Sequence, residues 1–212
     1  MAKIANRTIS QFKSALKGGG QRPNLFEVEL SKPSGVSFGA QPGTTRTNEL
    51  ESNDFRFLCK AASLPASNVA SIDVPFRGRI LKVAGDRTFE TWSTTIINDE
   101  NFLIRNAFET WMQGISKNSN ATGATNPSAY MTYALVHQLG RGADQGRSST
   151  GASAAVDGSA IAPLKTYTFF DIFPTTISAI DLSYENTDAI EEYSVEFQVQ
   201  YWEPGAYTRD NA

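Results

Sequence analysis

From Tyr193 to Tyr201 every second side chain is large and apolar. Tyr193, Val195, Phe197, Val199 and Tyr201 alternate with Ser194, Glu196, Gln198 and Gln200 over nine residues. A helix repeats every 3.6 residues and would scatter this set around its circumference, whereas a strand places one half on each face. The chain is therefore committed to β-structure with one buried side. Leu25 to Ser31 repeats the pattern, with Phe26, Val28 and Leu30 facing away from Glu27 and Glu29. In Leu164 to Phe173 both alternating sets carry large apolar groups, so this strand is expected to be covered on both faces, with Pro174 ending it.

The centre of the chain mixes the two periods. Phe76 to Ala84 and Thr88 to Ile97 are rich in β-branched and aromatic residues, and Gly85-Asp86 between them reads as a turn. A helix follows, started by Asn98 or Asp99 and stopped at Gly114. Within it Ile104, Ala107, Phe108 and Trp111 share one face, flanked by Leu103 and Met112. Phe102 falls among the polar positions, so it either packs back onto the preceding strand as a first-turn residue or faces a neighbouring subunit.

Further strands are expected at Phe55 to Ser63, Ser67 to Val74, Ala129 to Leu139 and Ile177 to Tyr184. Two long segments, 32–54 and 140–163, are built from small and polar residues and have little to bury by themselves. Residues 1–20 read as an arm detached by Gly18-Gly19-Gly20, with Ile4, Ile9, Phe12 and Leu16 in a weak helical pattern. The expected fold is mainly β, of α+β class: an antiparallel β-barrel or sandwich of about eight strands flanked by one α-helix. One domain spans 21–205, carrying the insertions 32–54 and 140–163, and 206–212 form a tail.

Composition narrows the function. Charged residues make up 19% of the 212, below the roughly 25% of an average domain, which suggests surface covered by partners. A net charge of −3 without a basic cluster argues against holding nucleic acid by its phosphates. There is no apolar run long enough to span a bilayer and no secretory leader, so a protein made in a cytoplasm and not itself inserted into membrane is expected.

Catalytic motifs are missing. Nucleophilic catalysis usually draws on a histidine, and the one present, His137, reads as a strand histidine rather than as the partner of the one cysteine, Cys59, which reads as a small buried hydrophobe. There is no CxxC or HExxH, and neither Gly18-Gly19-Gly20 nor Gly140-Arg141-Gly142 stands in a phosphate-loop context. No catalytic, metal or cofactor site is expected. A Cys59–His137 hydrolase and a monomeric β-sandwich binding module are the competing readings.

Four segments in order carry a resemblance: Arg22-Pro23-Asn24-Leu25-Phe26-Glu27-Val28; Cys59 to Ala66; Val83 to Phe89 through Ile97 to Glu100; and Tyr201-Trp202-Glu203. Together they resemble the tail tube proteins of contractile-tailed bacteriophages, related to the inner tubes of type VI secretion and of phage-tail-like bacteriocins. The resemblance implies a virion protein assembled in the host cytoplasm into hexameric rings that stack as a tube inside a contractile sheath. It also implies the sheath, baseplate and tail terminator as partners, and double-stranded DNA passing without specific binding. The inner tube of a secretion or injection system is the alternative. On this reading Glu196, Gln198 and Gln200, or else Glu27 and Glu29, line the lumen, and Phe102, Phe12 and Leu16 are subunit-interface candidates.

Overall fold

The structure is a computed structural model that describes residues 8–16, 20–38, 53–140, 163–185 and 188–205. Among these lie nine strands and four helices, and strands two and five, three and four, five and eight, seven and eight, and seven and nine in chain order pair antiparallel. The main sheet runs β1 (Phe26–Leu30), β6 (Thr132–Gln138), β7 (Lys165–Ile177), β8 (Glu192–Gln198), β5 (Trp92–Ile97) and β2 (Cys59–Ala62), with β9 (Tyr201–Pro204) paired to β7 off this path. A second sheet contains β3 (Ser67–Phe76) and β4 (Arg79–Phe89) alone. The mainly β class expected from the alternation is what the chain adopts.

The chain divides into two compact units. The larger comprises Val28–Val136 and Tyr167–Ala212 and holds an aromatic core. Trp92 stacks on Phe169 at 5.0 Å, and Phe197 touches Trp92, Phe108 and Trp111 at centroid distances of 5.0, 5.8 and 6.2 Å. Helix α3 (Leu103–Ile115) supplies Leu103, Ile104, Ala107, Phe108 and Trp111, all buried, as its 3.6-residue period requires. Each large apolar side chain in this cluster stabilises by roughly 1.5–3 kcal/mol when fully buried. Trp111 also donates its indole N–H to the Tyr130 carbonyl at 2.8 Å, which leaves no unpaired donor there.

The smaller unit, Met1–Glu27 with His137–Thr166, is laced by backbone and amide bonds. Leu139 N–H donates to the Leu25 carbonyl at 2.9 Å, and Gln21 Nε2 donates to both Gln138 Oε1 and the Leu139 carbonyl. The arm contains helix α1 (Ile9–Ala15), closed at its start by a reciprocal capping box between Thr8 and Gln11.

Several expectations are corrected. Phe55 to Ser63 is helix α2 (Asn53–Leu58) running into β2: buried Phe55 and Cys59 lie one helical turn apart, and Phe57, which alternation would bury, is 82% exposed. Gly85-Asp86 is no turn; both residues lie inside β4. Helix α3 starts later than Asn98 or Asp99 and runs through Gly114, whose missing Cβ admits Val36: a Cβ there would lie 2.8 Å from a Val36 methyl. Pro174 does not end β7 but sits at a register irregularity within it. Asp171, at φ 51°, bends β7 between its two pairings, with β9 on one side and β8 on the other. Strand β8 ends at Gln198, yet buried Val199 and exposed Gln200 carry the alternation two residues further, until Tyr201 pairs with Phe170 of β7. Ile177 to Tyr184 is irregular beyond the end of β7, and Pro127–Tyr130 is a short helix, α4, capped by Asn126. Residues 1–7, 17–19, 39–52, 141–162, 186–187 and 206–212 lie outside the described residues, as do most expectations for the two insertions and the tail.

Candidate assembly surface

The feature that most demands explanation is the β3–β4 hairpin. Ten and eleven residues long, its strands are joined by Arg77 and Gly78, both at positive φ (46° and 81°), which matches the twist of a two-residue hairpin turn. Directly opposed residues share a face, and the register sets Ile72 opposite Val83, Val74 opposite Leu81 and Phe76 opposite Arg79. The other face carries Asp73 opposite Lys82, ion-paired at 2.8 Å, and Pro75 opposite Ile80. One face is therefore an apolar ladder and the other is mixed.

Among the described residues nothing covers that ladder. Ile72, Val74, Phe76, Leu81 and Val83 are 43–67% exposed, and along both strands only Ser67, Gly85 and Phe89 are even half-buried. An isolated two-stranded ribbon is marginal in water at best, and an uncovered apolar strip of this kind marks an interaction surface. The sequence reading missed it by placing the turn at Gly85-Asp86. The overlooked signal was Ile72, Val74 and Phe76 alternating into Arg-Gly and out again through Ile80 to Val83.

A second exposed apolar set lies on the irregular segment before β8. Leu182, Tyr184 and Ile190 project beside a groove that also admits Asp181, Glu191 and Glu192. Glu191 accepts from the Asn98 side chain at 2.9 Å and Glu192 pairs with Lys60, but Asp181, Glu185 and Asp188 enter no ion pair among the described residues.

The residues singled out from sequence fall in separate places. Glu196 and Gln198 stand on the face of β8 opposite its buried Tyr193, Val195 and Phe197, Glu196 exposed and Gln198 half-buried. Gln200 is exposed just beyond the end of β8, separated from Gln198 by buried Val199, its N–H donating to the Phe170 carbonyl at 3.3 Å. Glu27 and Glu29 are half-buried on β1, separated from β8 by two strands in the sheet order, and Glu29 is ion-paired with Arg56 at 2.6 Å. Phe12 and Leu16 are exposed on the arm, on the same side of α1 as Ile9. Phe102 is not a first-turn residue. It precedes α3 in the left-handed region (φ 54°), 42% exposed, while Asp99 accepts from Leu103 N–H at 3.3 Å.

Groups that could do chemistry are engaged or buried. Burial pushes the Cys59 thiol up from 9.0 to about 12, so it carries no thiolate near neutrality. His137 Nδ1 lies 2.9 Å from the Thr166 hydroxyl. Burial also raises the Tyr193 hydroxyl well above its ordinary value, opposed in part by Arg105, which lies over its ring. Among the described residues no three His, Cys, Asp or Glu side chains gather to hold a metal ion, and no helix is long and apolar enough to cross a membrane.

Comparison with known proteins decides the family. The family model for phage tail tube proteins matches residues 21–204. The chain belongs to the phage tail tube protein family. It is thus a structural component of a virion tail and not an enzyme. The tail tube protein gp19 of Enterobacteria phage T4 is 29% identical over 182 residues, covering 86% of this chain and 90% of that one. Among solved structures, the cap of the anti-feeding prophage is similar in fold, with a TM-score of 0.55 at 12% identity over 98% of this chain and 100% of that one. The sheath–tube complex of the PVC extracellular contractile injection system is similar at a TM-score of 0.51, 11% identity, and coverage of 95% and 99%. For this tail tube subunit, then, the surfaces to explain are those facing other proteins.

Proposed function

We propose that the chain is the repeating subunit of the inner tube of a contractile phage tail, closing into rings of six copies that stack inside a sheath and conduct the genome into the host. The bare apolar ladder of the β3–β4 hairpin carries this reading, together with the family. Burying the exposed half of its five large apolar side chains is worth on the order of 1 kcal/mol each. A single docking event must offset at least 4 kcal/mol of lost rigid-body freedom, so one hairpin alone barely holds. Six hairpins on one ring lose that freedom only once, and whole rings then stack cooperatively.

The remaining roles follow from the same reading. The tube-forming domain is 21–205, with the arm 1–20, carrying Phe12 and Leu16, and Phe102 at subunit contacts, and the tail 206–212 outside it. The sheath, the baseplate and the tail terminator are the partners along the tube's length and at its ends. Glu196 and Gln198 on the polar face of β8, with Gln200 beyond it, or else Glu27 and Glu29, line the lumen, where acidic and amide side chains do not retain phosphates. DNA passes without being bound.

Replacing Val74 and Leu81 together by aspartate tests the assembly. The expected result is a folded subunit that gives no rings or tubes under negative stain, where the unsubstituted chain gives both. Tubes as abundant as before would contradict it. Reversing Glu196 to lysine is expected to slow DNA release from reconstituted particles, and unchanged ejection would remove that strand from the lumen.

A further inference from the structure

The hairpin and the groove before β8 are complementary in both charge and apolarity. Residues 67–89 carry Arg77, Arg79, Lys82 and Arg87 against Asp73 and Asp86, whereas residues 178–192 carry five acidic side chains and no basic one. At the hairpin tip Arg77 lies over the Phe76 ring at 5.4 Å, and neither Arg77 nor Arg79 enters an ion pair among the described residues. Asp181 lines the groove with exposed Leu182, Tyr184 and Ile190, Glu185 and Asp188 follow in the same segment just outside its lining, and none of the three carboxylates enters an ion pair among the described residues. No hairpin residue lines the groove of the same subunit.

Resting on the tube reading above, we infer that the hairpin tip of one copy docks into the groove lined by residues 179–184 and 189–192 of a second copy. Phe76 and Leu81 meet Leu182, Tyr184 and Ile190, while Arg77 and Arg79 meet the carboxylates of Asp181, Glu185 and Asp188. Two features favour a copy of this chain as the occupant. The apolar ladder ends at the two unpaired guanidinium groups, so a complementary surface must offer apolar contact and negative charge together. The groove offers both, and a net charge of −3 means that unlike patches must be matched locally, since the subunits as wholes repel. Donor and acceptor surfaces are different patches on one chain, so the contact is head-to-tail, and such contacts propagate instead of closing a two-fold pair.

Charge exchange tests the contact. Arg77→Glu with Arg79→Glu, or Asp181→Arg with Glu185→Arg, is expected to lower pelletable tube about tenfold or more, since like charges then face each other at the seam. Combining all four substitutions is expected to restore it. Unchanged assembly in either pair, or a combined variant no better than the pairs, would overturn the inference. Should a charge variant not fold, a Cys59→Ala chain carrying Arg79→Cys and Asp181→Cys is treated with a short bismaleimide. A ladder of covalent multimers is expected from tubes, none from either single-cysteine chain, and tubes without a ladder would also overturn it. If tubes form but the exchange has no effect, only this contact fails. If the unsubstituted chain forms no tube, the tube reading itself fails.

Discussion

Cys59 illustrates how much one buried side chain governs. Its thiol is raised from 9.0 to about 12 by burial, so below pH 9 folded and unfolded chains both keep the proton and the group adds no pH dependence. Between pH 9 and 12 the unfolded chain loses the proton and the folded chain does not, and stability falls by about 1.4 kcal/mol per pH unit from this group. Tyr193 acts in the same direction at higher pH. Urea denaturation at pH 8 and pH 10.5 is expected to show the drop, and Cys59→Ala to make it shallower; an equal slope in the variant would show that the thiol is not buried in solution. Phe102 offers a different test. In the left-handed region a non-glycine residue costs about 1–2 kcal/mol, while its half-exposed ring returns a similar amount by burial. Phe102→Asn is therefore expected to change subunit stability by less than about 1 kcal/mol but to raise the concentration needed for tube formation. Unchanged assembly would take Phe102 out of the interface. The helix face of Ile104, Ala107, Phe108 and Trp111 was legible in the sequence because periodicity alone places it. The backbone of Phe102 was not, since nothing about a phenylalanine announces positive φ.

At the scale of elements, the strands readable from sequence were those whose two faces meet different surroundings. β1 and β8 alternate because one side meets the core, and β7 fails to alternate because Thr168 and Phe169, on opposite faces, are both buried; β5 alternates too, but the expected strand Thr88 to Ile97 joined it to the end of β4. The hairpin was misread for the opposite reason: neither of its faces is buried in the subunit, so burial leaves no imprint on its boundaries. Glycine misled as well. Gly85 marks close packing, where a Cβ would come within 3.1 Å of Ile72, and the turn belongs to Arg77-Gly78. A two-stranded ribbon with bare faces opens easily. Trypsin is thus expected to cut the subunit first at Arg77 or Arg79, and the assembled tube at neither. Equal cleavage rates in the two states, by mass spectrometry of the fragments, would show that assembly leaves the hairpin uncovered.

For the whole molecule, composition hinted at covered surface but could not say where. The few charges, the acidic balance and the lack of catalytic groups are properties of a sum, whereas the location of the bare ladder and of the groove before β8 depends on topology. The lumen candidates show the same limit: alternation grouped Glu196, Gln198 and Gln200, but the end of β8 at Gln198, which leaves Gln200 just beyond the strand, is set by topology. The account as a whole holds that surfaces left incomplete in one copy are completed by others. A cryo-electron microscopy map of tubes grown from the purified chain tests this most directly, read at the side chains of Ile72, Val74, Leu81 and Val83. The account predicts that all four are buried against a neighbouring copy. A tube in which this ladder faces open solvent would contradict it.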